Sequence, residues 1–212
     1  MSSKESLRGL YVITDDLLTP KSILLESIKK ALHGGARIVQ LRDKVSSDRE
    51  IRALAITIQE LCHEFNALFV LNDKVELAIE LGCDGLHIGK SDHHRFEQIR
   101  KKFHGIIGVS CYGDLLLAKQ MELMGADYVA FGSFFASPTK PNSKIIDLDI
   151  LKKAKEQLNL PICAIGGIHS DYAEDIVVNY QPDMVAVISD IWREDITQPS
   201  QFYTNLYQGE NK

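Results

Sequence analysis

The sequence predicts a single (β/α)8 barrel, the TIM-barrel architecture, over residues 1–212, and three observations support this prediction. Eight short apolar runs recur along the chain, with longer stretches of helical periodicity between them. Alternating strands and helices favour parallel strands, because each crossover returns the chain to the same end of the sheet. The runs are almost continuously hydrophobic, which is typical of strands covered on both faces. Eight units favour a closed barrel over a doubly wound open sheet, which is the alternative.

The elements follow from these patterns in chain order. The predicted strands are 10–13, 36–41, 68–71, 85–88, 106–109, 128–131, 162–165 and 184–188. The clearest amphipathic helices between them are 22–32, 48–64, 114–124 and 171–179. Several of the helical stretches begin at a residue suited to an N-cap, namely Asp48, Asp92, Asp114 and either Ser170 or Asp171.

Composition excludes several classes of function. A net charge of −5 over 212 residues disfavours nucleic-acid binding. No apolar run approaches the length of a membrane span, and the opening MSSKESLRGL lacks the apolar region of a secretory signal. The four cysteines show no CxxC spacing, so we interpret them as core residues of a cytoplasmic protein rather than as catalytic or zinc-binding thiols.

Polar residues are concentrated where the predicted strands end. A parallel barrel places its active site at the carboxyl ends of its strands, so these positions are the candidates for chemistry. Asp73 and Asp92 follow the third and fourth strands, and neighbouring loops of one rim would bring their carboxylates together. Such oxygen ligands suit Mg²⁺, although Asp92 could instead only cap a helix. The adjacent pair His93 and His94 is a poor zinc site, because consecutive residues at a helix start point in different directions.

Two further groups of rim residues suit phosphorylated ligands. Gly166 and Gly167 after the seventh strand, with Ile188 and Ser189 after the eighth, match the phosphate site typical of these barrels. The alternative is a tight turn into the next helix. Gln40, Arg42 and Lys44 lie at every second position along and beyond the second strand, so one or two of them should face the barrel mouth. The alternative is a salt-bridged residue on an outer face, and this fits Asp43 better than Arg42.

The connection after the sixth strand, residues 132–147, is long for a βα loop. It contains the run Ser137, Pro138, Thr139 and Lys140. The hydroxyl groups of the serine and threonine and the ammonium group of the lysine suit phosphate oxygens. We interpret the segment as a lid that excludes water, with an unordered surface loop as the alternative. A metal on one side of the mouth and a phosphate on the other predict either one bis-phosphorylated substrate or two phosphorylated substrates that are joined.

Several blocks in order resemble the thiamine-phosphate synthase family. They are YVITDD, GGARIVQLRDK, LNDKVELAIELGCDGLHIGKSD, IIGVSCYG, GADYVAFGSFFASPTK, PICAIGGI and MVAVISDI, and they cover the chain from about Arg8 to Trp192. AIGGI alone is a weak signal, whereas QLRDK, NDK and SPTK in order are specific. The resemblance implies a transferase that couples a hydroxymethylpyrimidine diphosphate to a thiazole monophosphate, through a pyrimidine cation, with release of diphosphate.

The resemblance also implies roles for individual residues. Mg²⁺ is the implied cofactor, held by Asp73 and Asp92. The residues implied to hold the pyrimidine diphosphate are Gln40, Leu41, Arg42, Asp43, Lys44, Asn72, Ser110 and Lys140, with Ser110 and Lys140 as the catalytic pair. The residues implied to hold the thiazole phosphate are Ser137, Pro138, Thr139, Gly167, Ile188 and Ser189.

The chain departs from the family pattern at five positions. Ser137 stands where Thr is more frequent, Lys90 where Gln is usual, Tyr112 where His is common, and Ser133 and Ala136 where prolines are frequent. None of these changes removes an implied metal ligand or the lid lysine. A thiazole tautomerase of the related subfamily and a non-catalytic sensor of thiamine phosphates are the alternative functions. The sequence leaves open whether the chain forms a homo-oligomer.

Overall fold

A computed structural model describes residues 6–137 and 143–208, and its strands form a closed barrel of eight. Each strand pairs in parallel with the next, and the last pairs with the first, as the sequence predicts. The strands are β1 Gly9–Ile13, β2 Ile38–Leu41, β3 Leu68–Asn72, β4 Gly85–Ile88, β5 Ile106–Tyr112, β6 Tyr128–Phe131, β7 Ile162–Ile165 and β8 Met184–Val187.

Helices cover the outside of the barrel. Those in the described part of the chain are α1 Leu24–His33, α2 Asp48–Glu64, α3 Val75–Leu81, α4 Phe96–Lys102, α5 Leu115–Met124, α6 Asp149–Gln157, α7 Ser170–Tyr180 and α8 Thr197–Leu206, with a 3-10 turn at His93–Arg95. Within the two described ranges, none of these helices has the combined length and apolar character needed to cross a membrane.

Three of the four predicted caps lie within one or two residues of the observed helix starts, whereas Asp92 precedes only the 3-10 turn His93–Arg95 and α4 begins at Phe96. Asp114 caps α5, because its carboxylate accepts a hydrogen bond from the Leu117 amide at 2.9 Å. Ser47 rather than Asp48 precedes α2, and the Glu50 carboxylate accepts from the Ser47 amide at 2.7 Å. His169 occupies the cap of α7, one residue before the expected position. A local pattern locates a helix start, but the neighbouring side chains decide which residue caps it.

The strands bury different residues on their two faces. Outward residues such as Val39 and Leu41 join the large core beneath the helices, whereas inward residues such as Ile38 join a smaller core inside the barrel. This separation follows from the period of two along a strand. The inner core consists of Leu7, Tyr11, Ile13, Ile38, Val70, Tyr128, Ala130, Cys163, Met184 and Ala186.

The four cysteines are buried and free, as predicted for core residues. Cys163 lies in the inner core, and Cys62, Cys83 and Cys111 lie in the outer one. Burial raises the pKa of Cys62, Cys83 and Cys111 to about 12, so these groups are thiols at neutral pH.

A tyrosine ring fills the middle of the barrel because a glycine faces it. Tyr128 on β6 is fully buried and pairs in register with Gly108 on β5. A Cβ at Gly108 would lie 1.9 Å from the ring carbon Cζ of Tyr128, so no larger residue fits there without moving the ring. The glycine therefore permits the position of the Tyr128 hydroxyl at the barrel centre.

A buried carboxylate joins the end of β8 to two helices. Oδ2 of Asp190 accepts hydrogen bonds from the Ser170 amide at 2.9 Å and from Tyr203 OH at 2.7 Å. Oδ1 lies 2.9 Å from Nε2 of His169 and pairs with Arg193. Asp190 is 3% exposed, so this network connects the β7 and β8 loops with α8 from below. Helix α8, Thr197–Leu206, packs through its buried residues Ser200 and Tyr203.

We expect Gly108→Ala to lower the free energy of unfolding by about 1–3 kcal/mol, because the added methyl group collides with Tyr128. Urea denaturation measures the change. Gly89→Ala is the matched control, since a Cβ there would meet no described atom closer than 3.8 Å. Equal stability of the two variants would contradict the packing explanation.

We expect Asp190→Ala to lower the free energy of unfolding by about 3 kcal/mol, because it leaves buried donors without their acceptor. Hydrogen exchange should also speed up at the Ser170 amide. Asp171→Ala is the control, because that carboxylate is 80% exposed and contacts His169 only at the surface. A variant at position 190 as stable as this control would show that the network contributes little.

Candidate active site

A cavity of about 550 Å³ opens at the carboxyl ends of the strands. Residues from all of the strands line it, together with residues from the connection after β6. The lining includes six of the predicted substrate-binding residues that the structure describes, namely Gln40, Arg42, Asn72, Ser110, Ser137 and Ile188. Among the other described residues predicted for the site, Lys44, Asp73, Asp92, Gly167 and Ser189 lie near the rim and do not line the cavity itself.

The second strand supplies the predicted run from Gln40 to Lys44, and its members have different environments. Gln40 and Arg42 line the cavity, whereas the side chain of Leu41 belongs to the core beneath the helices. Asp43 accepts hydrogen bonds from the amides of the next turn and lies 3.6 Å from Nζ of Lys21. Asp43 is thus the ion-paired residue on the outer side. Burial raises its pKa, but hydrogen bonds from Ser46 and Val45 and the charge of Lys21 lower the pKa below its usual value.

Asp73 follows β3 at the rim in a strained backbone conformation. Its φ is +61°, which non-glycine residues seldom adopt, and such strain is concentrated at functional sites. Oδ2 accepts a hydrogen bond from Nδ2 of Asn72 at 2.8 Å and lies 3.6 Å from Nζ of Lys44. Oδ1 lies 3.8 Å from the position that a Cβ would take at Gly89. The carboxylate therefore reaches the loop after β4.

Asp92 lies in that next loop and is buried. Oδ2 accepts from Oγ of Ser91 at 2.7 Å, and Oδ1 lies 3.3 Å from Nη1 of Arg95. Among residues 6–137 and 143–208, no three or more His, Cys, Asp or Glu side chains form a group that could hold a metal ion. Neighbouring His93 is half-buried and His94 is exposed, so the two rings have different surroundings.

A bulge at the end of β5 changes the direction of the strand at the site. The register with β6 shifts between Ser110 and Tyr112, and Tyr112 has a φ of +57°. Tyr112 OH accepts a hydrogen bond from the Lys90 amide at 3.4 Å and would lie 3.8 Å from a Cβ at Gly89. Bulges at barrel rims reorient side chains at active sites. Here the bulge places Tyr112, one of the departures from the family pattern, between the loops of β4 and β5.

The glycines after β7 form a narrow turn against the connection after β6. Gly167 has a φ of +68°, and a Cβ there would lie 2.6 Å from the Ala136 carbonyl oxygen and 2.7 Å from that of Phe135. Tyr172 donates a hydrogen bond to the Gly167 carbonyl, and α7 begins at Ser170. The turn therefore requires glycine both for its backbone angle and for close packing. Ser189, at the matching end of β8, is half-buried.

The connection after β6 is attached to the rim at both of its described ends. The Phe135 amide donates to the Gly166 carbonyl at 3.0 Å, and the Ile146 amide donates to the Ser133 carbonyl at 2.9 Å. Ser143 and Lys144 line the cavity from the second end. The predicted residues Pro138, Thr139 and Lys140 lie outside the described residues.

Sequence reasoning missed the residues that form the floor of the cavity. Tyr11, His87, Ala130, Cys163 and Ala186 line it, and all of them face inward from strands. A signal for one of them was present, because His87 is a polar residue within the apolar run Gly85–Ile88 and is 8% exposed. A buried histidine in a strand needs hydrogen-bond partners, and its position at period two from Gly85 indicates the barrel interior.

The geometry separates two kinds of binding chemistry. Strands β3 and β4 carry carboxylates and the amide of Asn72, with Lys44 beside them. Strands β7 and β8 carry the glycine turn and Ser189. These pairs of strands are four positions apart in a closed barrel of eight, so they face each other across the mouth. The cavity is therefore lined by the donor groups of Arg42 and Asn72 on one side and by Gly166 of the turn after β7 on the other.

Comparison with known proteins shows the family of the chain. A family model described as thiamine monophosphate synthase matches residues 10–191. A thiamine-phosphate synthase from Wolinella succinogenes is 44% identical over 204 residues, covering 95% of this chain and 94% of that protein. One from Acidithiobacillus ferrooxidans is 41% identical and covers 97% of both chains.

A solved structure is similar over almost the same extent. The thiamine phosphate pyrophosphorylase from Pyrococcus furiosus superposes with a TM-score of 0.87 at 33% identity, and the match covers 98% of each chain. The family match, the identities and the shared fold all extend over most of the sequence. The chain therefore belongs to the thiamine monophosphate synthase family.

Proposed function

We propose that this protein is a thiamine-phosphate synthase, which joins a hydroxymethylpyrimidine diphosphate to a thiazole monophosphate and releases diphosphate. One observation carries the proposal beyond family membership. A single cavity of about 550 Å³ is lined by Arg42 and Asn72 on the side of β2 and β3 and by Gly166 and Ile188 on the side of β7 and β8, so groups on opposite sides could each bind an anionic substrate.

The pyrimidine diphosphate belongs on the side of β2 to β5. Arg42, Lys44 and Asn72 lie there, and guanidinium, ammonium and amide groups donate hydrogen bonds to phosphate oxygens. Ser110 supplies a hydroxyl to the same part of the cavity. In this proposal Lys140, which lies outside the described residues, adds a second ammonium group, as the family resemblance implies.

Asp73 and Asp92 are the residues that would hold Mg²⁺ together with the diphosphate. Both are oxygen donors on adjacent loops, and a carboxylate that accepts one or two hydrogen bonds still has lone pairs for a cation. Magnesium is bound in proteins by one or two carboxylates with waters and substrate phosphate, which fits this donor set. When bound, the ion would neutralise the charge that develops on the departing diphosphate. Lys44, 3.6 Å from Asp73, holds that carboxylate at the rim.

The thiazole phosphate belongs on the opposite side. The glycine turn allows phosphate oxygens to approach backbone N–H groups near the start of α7, where an anion is stabilised. Ser137 and Ser189 add hydroxyl donors. This placement sets the thiazole ring beside the pyrimidine.

The residues of the chain promote the reaction by orientation and electrostatics. Departure of the diphosphate leaves a pyrimidine cation, which the thiazole nitrogen captures. Arg42 and Lys44 stabilise the negative charge of the leaving group, and this stabilisation is strongest when water is excluded. The apolar floor of the cavity, including Ile13 and Ala186, excludes water from beneath the reacting atoms.

We expect Asp73→Asn to reduce kcat/KM for thiamine phosphate formation by about 100-fold or more, because it removes a charge that would hold the cation. The assay mixes both phosphorylated substrates with Mg²⁺ and measures thiamine phosphate by its oxidised fluorescent product. A wild-type sample with a chelator should lose activity to a similar extent.

Asp16→Asn is the matched control, because Asp16 is an exposed carboxylate that follows β1 on the same rim. It should retain wild-type activity. Full activity of Asp73→Asn, or of the chelated enzyme, would contradict the metal site. No product from the wild-type protein would contradict the synthase, and the tautomerase or the sensor would then replace it.

We expect Gly167→Ala to raise KM for the thiazole phosphate at least about tenfold and to leave KM for the pyrimidine substrate nearly unchanged, because the methyl group closes the glycine turn. Steady-state kinetics with each substrate varied in turn measure both values. Gly125→Ala is the control, since Gly125 also has a positive φ, +96°, but caps α5. An equal rise in both KM values would contradict two separate half-sites.

A further inference from the structure

Five polar side chains form a continuous hydrogen-bonded chain through the barrel, from β2 to β5. Nε2 of Gln40 donates to Tyr11 OH at 2.6 Å, and Tyr11 OH lies 2.8 Å from Tyr128 OH. Tyr128 OH lies 2.9 Å from Nδ1 of His87, and Nε2 of His87 lies 2.9 Å from Oγ of Ser110. Four members of the chain, Gln40, Tyr11, His87 and Ser110, line the cavity, and Tyr128 connects Tyr11 to His87 without lining it.

The chain is buried and held by ring contacts. Gln40, Tyr11 and Tyr128 are no more than 2% exposed, so their polar atoms depend on protein partners. The rings of His87 and Tyr128 are stacked with centroids 5.6 Å apart, and the rings of Tyr11 and Tyr128 meet edge to face at 6.1 Å. Burial raises the pKa of both tyrosines, so each phenol keeps its single proton and can donate only once.

The amide group of Gln40 sets one direction for the whole chain, because an N–H group can only donate. Tyr11 OH accepts from Gln40, and its other partner is Tyr128 OH, so the buried Tyr11 proton is hydrogen-bonded only if Tyr11 donates to Tyr128. Tyr128 in turn gives its proton to Nδ1 of His87. A neutral imidazole that accepts at Nδ1 carries its proton on Nε2, so His87 donates to Oγ of Ser110.

We propose that Tyr11, Tyr128 and His87 are positioning residues that direct the hydroxyl proton of Ser110 into the cavity. Because Ser110 accepts from His87, its own proton is available for an acceptor atom of the bound substrate, a ring nitrogen or an anionic oxygen. A ligand that presents a donor at this point would leave two donors facing each other, so the chain also selects against it. This inference rests on the proposed function only for the identity of the substrate, which is the pyrimidine diphosphate.

The tautomer of His87 tests the direction without any substrate. Protein labelled with ¹⁵N-histidine is examined by long-range ¹H–¹⁵N correlation, and the signal that disappears in His87→Gln identifies the residue. We expect a protonated Nε2 and an unprotonated, hydrogen-bonded Nδ1. A proton on Nδ1 would overturn the proposal, because the chain would then run from Ser110 towards Gln40.

A variant in the middle of the hydrogen-bonded chain tests how the chain affects the reaction. Tyr128→Phe removes the donor to Nδ1 without altering a residue that lines the cavity, so the Nε2–H form should lose its preference and appear as a mixture of tautomers. We expect kcat to fall about tenfold while KM for the thiazole phosphate stays unchanged.

Tyr207→Phe is the matched control, because it removes a phenol that donates to the Pro182 carbonyl at the other end of the barrel. It should retain the wild-type tautomer and kcat. If Tyr128→Phe lowers the melting temperature but keeps the wild-type His87 tautomer and the wild-type kcat, the hydrogen-bonded chain is only structural and the proposal is wrong. Absence of thiamine phosphate formation by the wild type would overturn the proposed function and leave the tautomer result standing, so the two failures are distinguishable.

Discussion

The burial of polar groups at the centre of the barrel is the constraint on which the site depends. A hydroxyl or imidazole removed from water costs free energy unless it is hydrogen-bonded, so Tyr11, Tyr128 and His87 must meet one another. Their meeting requires the glycine at position 108, since any side chain there would occupy the place of the Tyr128 ring. The cavity thus lies above a polar layer that is itself supported by packing.

A second buried polar group supports the opposite half of the mouth. Asp190 connects the end of β8 to the start of α7, which follows the glycine turn in the chain, and to α8. The two networks share no residue. The β2 to β5 side of the mouth therefore depends on hydrogen bonds inside the barrel, and the β7 to β8 side on hydrogen bonds outside it. Each side of the mouth has its own set of supporting contacts.

Much of the fold and of the rim could be predicted from the sequence, for reasons that are local. A strand exposes alternate residues to alternate sides, so the positions of Gln40 and Arg42 on one face follow from their spacing. The same spacing assigns Leu41 to the other face, where it packs beneath the helices. The roles inferred for Asp73, Asp92 and the other rim residues remain predictions that the kinetic experiments test.

By itself, the sequence determined the alternation of strands and helices, the number of strands and the end of the barrel that carries polar residues, because these depend on periodicity along the chain. Only the tertiary structure decided which side chains meet across the barrel. Tyr11 and Tyr128 are 117 positions apart and are brought together by closure of the sheet. The roles of Gly108 and Asp190 likewise arise from contacts between distant elements, and no local pattern encodes a contact whose partner lies elsewhere in the chain.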